Sequence, residues 1–437
     1  MKRRPLLPAV IFAALLFVTQ FGFSAGFALY EGSARGNALG GLTGQADDPA
    51  ALFYNPAGIT NLEGLHFMGG VTLIAPFADV ATINAFDGTI KESKYESNVF
   101  TPPHLYYTQQ LSEKLWWGLA VFSRFGLGSE FKSDWPGRYN SSDANIETLS
   151  VNPNIAWKVN DKLSLALGVS AMWIDVELVQ SIDATRFFGA PYNNPSTSAL
   201  DATQTISGDS YGYGFNVAAH YKVNQKWSVG LTYNSRVEQD IDDGVARFQK
   251  PATPVPDTFF VDANVAADPI DLPEMVFLGA NYQVRDDLAI GFGAIYTGWS
   301  SLDQLVFNYE TPIIVVPGFN VVVDRVVRPL NWKDVWRYNV GIEHKVRENF
   351  NFMWGFILDD SPLRNETVSY LLPANDRFLV DTGIRCKLSN WVLDASFQYL
   401  TIRSRDIDSR QFEDGVLQSR VRSGGAILAG VSLSRKF

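Results

Sequence analysis

The stretch Leu163-Ser164-Leu165-Ala166-Leu167-Gly168-Val169-Ser170-Ala171-Met172-Trp173 separates into two faces when read with a period of two. Leu163, Leu165, Leu167, Val169, Ala171 and Trp173 fall on one side, and Ser164, Ala166, Gly168, Ser170 and Met172 on the other. Such alternation marks a β-strand, because successive side chains leave opposite faces of the pleat. It recurs at Trp227, Val229, Leu231 and Tyr233 against Ser228, Gly230 and Thr232, and at Leu288, Ile290, Phe292 and Ala294 against Ala289, Gly291 and Gly293. Phe350, Phe352, Trp354 and Phe356 form a fourth row. A soluble sandwich hides its large residues and shows Lys, Glu or Thr to water. Here the second face is Gly, Ala and Ser, so the large residues face lipid, where a mid-bilayer charge costs roughly 2–4 kcal/mol. None of the four rows carries a charge.

Working outward, the same reading predicts strands over 64–75, 102–111, 115–123, 146–159, 163–179, 210–223, 226–239, 271–284, 287–298, 335–347, 349–358, 377–388, 391–401 and 424–437. That is fourteen, an even number. Tight connections at Ser112-Glu113-Lys114, Asn160-Asp161-Lys162, Asn224-Gln225, Arg285-Asp286, Arg347-Glu348 and Ser389-Asn390 alternate strictly with long ones. Bacterial barrels have short periplasmic turns and long external loops. Both chain ends therefore belong in the periplasm, with seven loops outside. The fold expected is all-β, a 14-stranded antiparallel transmembrane barrel of the Gram-negative outer membrane, in contact with lipid and lipopolysaccharide and expected to be a monomer. Its last strand presents Ile427, Ala429, Val431 and Leu433 and ends in Phe437, the aromatic handle for the outer-membrane assembly machinery. Trp116, Trp117, Trp157, Trp227 and Trp391 lie near turns, where aromatic girdles form.

Composition agrees. Lys2, Arg3 and Arg4 precede an apolar run from Leu6 to Val18 and small residues at Gly22 and Ser24, the pattern of a secretory leader over 1–24. After it, every apolar stretch breaks long before the ~20 residues a membrane helix needs. The 413 residues that follow exceed a usual single soluble core, yet no linker divides them. A single cysteine, Cys386, rules out an internal disulfide, so stability must come from closure or from size. The net charge of −10 falls to −13 without the leader, which excludes nucleic acid as a partner and fits acidic external loops.

Between leader and barrel, residues 26–62 read GFALYEGSARGNALGGLTGQADDPAALFYNPAGITNL, with seven glycines and no sustained alternation. Asn55-Pro56 sets a turn and Gly58 permits a positive φ, so the stretch suits a compact loop in the lumen. Irregular backbone survives at membrane depth only when enclosed by protein or facing water.

Several pieces, in this order, resemble the FadL family of long-chain fatty acid transporters and its toluene-channel relatives. They are Gly26-Phe27, Asp47-Asp48, Asn55-Pro56-Ala57-Gly58, Phe125-Gly126-Leu127, Trp135-Pro136-Gly137-Arg138-Tyr139, Val151-Asn152-Pro153, Leu272-Pro273-Glu274, Trp299-Ser300, Lys333-Asp334, Asp359-Asp360-Ser361-Pro362 and Leu372-Pro373 with Asp376-Arg377. The resemblance spans the mature chain. It implies a hatch over 25–63, a barrel over 64–437, an apolar luminal site for a hydrophobic small molecule or fatty acid, and a kinked third strand that opens the wall sideways. On this chain the hatch signature is Asn55, Pro56, Ala57 and Gly58 with Asp47 and Asp48, and the kink falls at Arg124, Phe125 and Gly126.

An alkyl chain leaving water gains about 0.8 kcal/mol per CH₂, so a side exit into the bilayer exploits a preference that a polar pore works against. The mechanism expected is capture by outer loops, transfer to the luminal pocket, hatch movement and lateral release, without a cofactor. Phe125, Phe131 and Trp135 either line a capture groove or simply pack their loop. Arg328 and Lys333 either receive a carboxylate headgroup or are plain surface charge. Where the family's fatty-acid carriers place a luminal Arg late in the fifth strand, this chain has Gln180, which moves weight toward neutral hydrocarbons. Two adjacent carboxylates do not supply the six to eight oxygens Ca²⁺ prefers, so Asp47-Asp48 is read as a hatch-to-wall contact and no metal is expected. Two rivals are a general diffusion porin and a lipid hydrolase using a Ser-His pair. For the second, His66, His104, His220 and His344 are the available bases, and none sits in a nucleophile motif.

Overall fold

The computed structural model describes residues 26–183, 201–251, 255–316, 321–408 and 415–437. The expected leader lies outside them. Fourteen strands form the wall: β1 (Leu65–Asn84), β2 (Pro103–Gln110), β3 (Leu115–Phe122), β4 (Asp143–Lys158), β5 (Leu163–Asp183), β6 (Asp201–Lys222), β7 (Trp227–Asn234), β8 (Met275–Arg285), β9 (Leu288–Thr297), β10 (Val335–Arg347), β11 (Phe350–Asp359), β12 (Arg377–Leu388), β13 (Trp391–Ile402) and β14 (Val416–Lys436). Each pairs antiparallel with its neighbours in sequence, and β14 returns to β1 from His66↔Lys436 to Asn84↔Val416, which closes the ring. Closure leaves neither terminal strand, β1 or β14, as a free sheet edge to manage.

The short connections fall where expected, at 111–114, 159–162, 223–226, 286–287, 348–349 and 389–390. The predicted outer faces are outside: Leu167 is 58% exposed and Val169 59%, while Ala166 and Met172 on the opposite face are buried. Several strands run further at the loop end than alternation indicated. β5 reaches Asp183, β6 begins at Asp201 and β14 at Val416. Toward these ends the outward row becomes Asp175, Glu177 and Asp209, residues that belong in water above the bilayer. The predicted seventh strand leaves the wall after Asn234, where the Ser235 hydroxyl accepts the Phe215 amide at 2.9 Å, and Val237–Gln239 pair instead with Ile270–Leu272. One girdle assignment is corrected. Trp116 points inward, buried, and its Nε1 donates to the Leu62 carbonyl at 2.8 Å.

Residues 26–62 fold inside this ring. Helix α1 (Ala34–Leu39) is capped by the Ser33 hydroxyl at the Gly36 amide and ends on Gly40 at φ 72°. A short α2 (Ala51–Tyr54) leads into a 3₁₀ turn over Pro56–Asn61. α1 packs on β10 to β14 and on β1, and the 3₁₀ turn packs on β3 to β6. Where this segment meets the wall, backbone touches backbone: a Cβ on Gly230 would sit 2.0 Å from the Thr43 carbonyl oxygen. The small inward face read from the sequence is thus a seat for the inner segment.

Candidate functional site

The inner segment is tied down by buried charge. Arg35 Nη1 lies 2.5 Å from Asp47 and 2.9 Å from Asp48, and its Nη2 lies 2.7 Å from Glu343 on β10. Asp48 also meets Arg385 of β12 at 3.0 Å, and Arg385 pairs with Asp394 of β13 at 2.7 Å. Burial alone raises the Asp48 carboxyl, but Arg35 and Arg385 outweigh it and hold it below its ordinary value. The Asp47-Asp48 pair divides its work: Asp48 reaches the wall, while the half-exposed Asp47 binds only within the segment.

Asn55 holds the other end. Its Nδ2 donates to the Thr43 carbonyl at 3.1 Å and to the Ala219 carbonyl of β6 at 3.0 Å, and its Oδ1 accepts the Ala57 amide ahead of Pro56. Gly58 does not use a positive φ. It is required because a Cβ there would lie 2.2 Å from Ala46 Cβ, a close approach that the sequence alone does not reveal.

The third strand breaks over residues 123–125. The β2–β3 ladder ends at His104↔Phe122, and the chain resumes pairing with β4 only at Gly126–Glu130. Across the gap, Phe100 and Pro102 bond back to β1 through Ile74 and Thr72. Alternation then turns Thr101 and Pro103 toward β3. Pro103 has no N–H to give to β3, which removes one rung just beyond His104.

Residues 27–29 occupy the exposed edge from inside. The Leu29 amide donates to the Arg124 carbonyl at 2.8 Å and the Gly126 amide to the Phe27 carbonyl at 2.9 Å, around an Ala28↔Phe125 bridge. Phe27 packs its ring against Phe125, Trp299 and Trp332, with centroids at 5.9, 4.8 and 5.8 Å. With Ile146 and Leu372 it lines two cavities. On the loop side is an apolar pocket of about 70 Å³ lined by residues including Ile146, Ile174, Leu178, Ile206, Leu330 and Leu372, with no charged side chain among the described residues. On the other side is a chamber of about 460 Å³ that runs past Phe125 and Gly126 to Phe100 and Pro103 at the gap in the wall. Arg337 and Arg377 line part of this chamber, and Arg377 Nη2 holds the Gly26 carbonyl at 2.8 Å.

The remaining predicted residues divide. Arg328 and Gln180 do meet, through an Arg328 Nη2 bond to the Gln180 amide oxygen, and Arg328 Nη1 also reaches the Asn140 carbonyl at 3.3 Å. Lys333 does not join them; it is exposed in the loop before β10. Phe131 and Trp135 are buried and stacked at 3.9 Å, with Tyr370 set edge-on against Trp135 at 4.9 Å. They pack the loop and offer no open groove. Arg124 lies at the break, but its side chain points into the core. The hydrolase reading meets one Ser-His contact, His104 Nε2 to Ser432 Oγ at 2.8 Å. Both side chains are buried under α1, and His104 Nδ1 has no partner among the described residues, so no acid orients the ring. Phe27 is the residue whose role sequence reasoning missed, although Gly26-Phe27 was among the pieces carrying the resemblance.

Residues 15–437 match the profile of the outer membrane protein transport protein family (OMPP1/FadL/TodX). The chain belongs to this family. This OMPP1/FadL/TodX member is 24% identical over 399 residues to the long-chain fatty acid transport protein of Escherichia coli K12, covering 86% of this chain and 87% of that one. It is 23% identical over 428 residues to outer membrane protein P1 of Haemophilus influenzae, covering 90% and 89%. Among solved structures it superposes on a Pseudomonas aeruginosa FadL homologue with TM-score 0.77 at 19% identity, covering 95% of this chain and all of the other. For the Pseudomonas putida toluene transporter TodX the TM-score is 0.68 at 16% identity, covering 94% and 99%. This family member is therefore an outer-membrane β-barrel transporter of hydrophobic molecules, not an enzyme.

Proposed function

We propose that the barrel passes long-chain fatty acids or aromatic and aliphatic hydrocarbons from the loop-side pocket to the bilayer through the gap between β2 and β3. The observation that carries this reading is the strand-like seating of residues 27–29 on the broken edge of β3, with an apolar pocket on one side of Phe27 and the side chamber on the other. A pocket of about 70 Å³ is far below the ~300–1,000 Å³ of ordinary ligand sites. Withdrawal of Phe27 joins it to the chamber beyond.

Magnitudes select the moving part. Two backbone hydrogen bonds are worth about 1–3 kcal/mol together, burial of one Phe about 1.5–3 kcal/mol, and the Arg377 bond to the Gly26 carbonyl about 1.5–3 kcal/mol. Breaking a buried ion pair by losing one partner costs about 3–5 kcal/mol, and the body of the inner segment holds several such pairs. The terminal strap of residues 26–29 yields first, and the body from Tyr30, whose carbonyl accepts the Tyr54 hydroxyl at 2.9 Å, to Leu62 remains as a fixed plug. Hatch movement is then movement of the strap.

Relatives are named for both fatty acids and toluene, so the test uses both. In cells lacking their own channel, expression of this chain should raise uptake of labelled oleate or of toluene several-fold. In planar bilayers it should give only small ion currents. Large, steady currents with no gain in hydrophobic uptake would favour the porin reading instead.

A further inference from the structure

Arg124 sits at the wall break with its guanidinium inside the barrel, 7% exposed. Three rings from three elements surround it: Phe53 of α2 and Phe122 of β3, each with its centroid 4.9 Å away, and Phe277 of β8 at 5.7 Å. Its one hydrogen-bond contact among the described residues is Met275 Sδ at 3.9 Å, and no carboxylate lies within ion-pair distance. Cation–π contacts return about 0.5–2 kcal/mol each, whereas removing an unpaired charge from water costs several kcal/mol even after relaxation. An ionisable residue at membrane depth that lacks a counter-charge marks a functional site.

A small chamber of about 20 Å³ adjoins it. Its polar lining is Arg124, Asn152, Asn216, Asn234, Ser170 and Ser235, and it contains no acidic side chain. Asn234 Nδ2 is buried there without an acceptor among the described residues. A cation and a spare amide donor thus share a space that admits about one water-sized group, too small for an alkyl chain. Phe125 lines both this chamber and the side chamber, so an end-group here lies one ring from the route proposed above.

We propose that Arg124 and Asn234 form a receptor for a single compact carboxylate behind the kink, and that it takes the head of an amphipathic cargo while the tail enters the side chamber. The cargo part rests on the transport reading. The anion site does not, and the two are tested separately.

For the site, the purified full chain is heated with sodium formate and with sodium perchlorate at equal ionic strength, and crystals are soaked in bromide. A formate-specific rise in unfolding temperature, abolished in Arg124→Met, and a bromide anomalous peak beside Arg124 are expected. No rise and no peak in the wild-type chain would overturn the site, whatever the stability of the variant. For the cargo, uptake of oleate is compared with oleyl alcohol, which shares the tail and lacks the charge. Arg124→Met should cut oleate uptake at least ten-fold and leave oleyl alcohol within two-fold, and Arg124→Lys should recover part of the loss. Equal losses for both, the result of a purely structural cation–π contact, would refute a cargo role. If neither compound enters through the wild-type chain, the transport reading fails while the formate and bromide results stand.

Discussion

Joining the strap to the broken strand with Ala28→Cys and Phe125→Cys should abolish hydrophobic uptake under oxidising conditions and restore it on reduction. The two residues form a bridge flanked by hydrogen bonds from Leu29 to Arg124 and from Gly126 to Phe27. That arrangement is the non-hydrogen-bonded pair of an antiparallel ladder, with Cα atoms about 4.5 Å apart, inside the ~4.4–6.8 Å window of a disulfide. The native Cys386 is far away in sequence and faces β11 and β13 partners, so it does not compete. Reduction supplies the internal control, because the loss of the Phe125 ring is common to both states. Uptake that continued at full rate with the bond formed would show that cargo does not cross beside residues 27–29.

The second large effect is on stability. Arg35→Met should lower the temperature at which the folded barrel converts to its slower-migrating unfolded form on electrophoresis, and should raise ion conductance. Arg35 is the shared partner of Asp47, Asp48 and Glu343. Its removal leaves buried carboxylates behind, a change worth about 3–5 kcal/mol. Adding Glu343→Gln should recover part of the loss, because one stranded charge is then gone. Acid should act in the same direction. The Asp48 carboxyl is held below its ordinary 3.8 in the folded chain, so its contribution is full above that value and is lost as pH falls through the depressed one. The unfolding temperature of the wild-type chain should therefore not fall between pH 7 and about 4, and should drop below it. A drop beginning near pH 6 would contradict the assignment.

Much of this architecture could be read from the residues because lipid and turns act locally. The rows at Leu165-Leu167-Val169 and Phe352-Trp354-Phe356 are selected by the bilayer residue by residue, and Asn224-Gln225 or Ser389-Asn390 mark tight turns without help from the rest of the chain. The strand ends at Asp183, Asp201 and Val416 were not legible, since lipid no longer selects the outer face there and alternation fades. The kink at Arg124, Phe125 and Gly126 was implied by the family resemblance, whereas the loss of a rung at Pro103 on the neighbouring strand was not legible there. Long-range partners were hidden altogether. Nothing near Arg35 in sequence announces Glu343, and nothing near Arg124 announces Phe277 and Asn234. Arg328 and Lys333 show the converse, two cations close in sequence of which one reaches Gln180 and the other faces water.

Helix α1 has a further significance. Its first amide, at Ala34, is held by the Ser432 hydroxyl of β14 at 2.8 Å, and Asn37 Nδ2 reaches the Thr72 hydroxyl of β1 at 3.0 Å. These are the two strands that meet last when the wall is rolled shut. Helix α1 thus spans the seam of the cylinder, like a dowel through both ends of a hoop. A chain shortened to start at β1 would lose these seam contacts together with the strap, so point changes in residues 26–29, and not amputation of the whole N-terminus, test the strap alone.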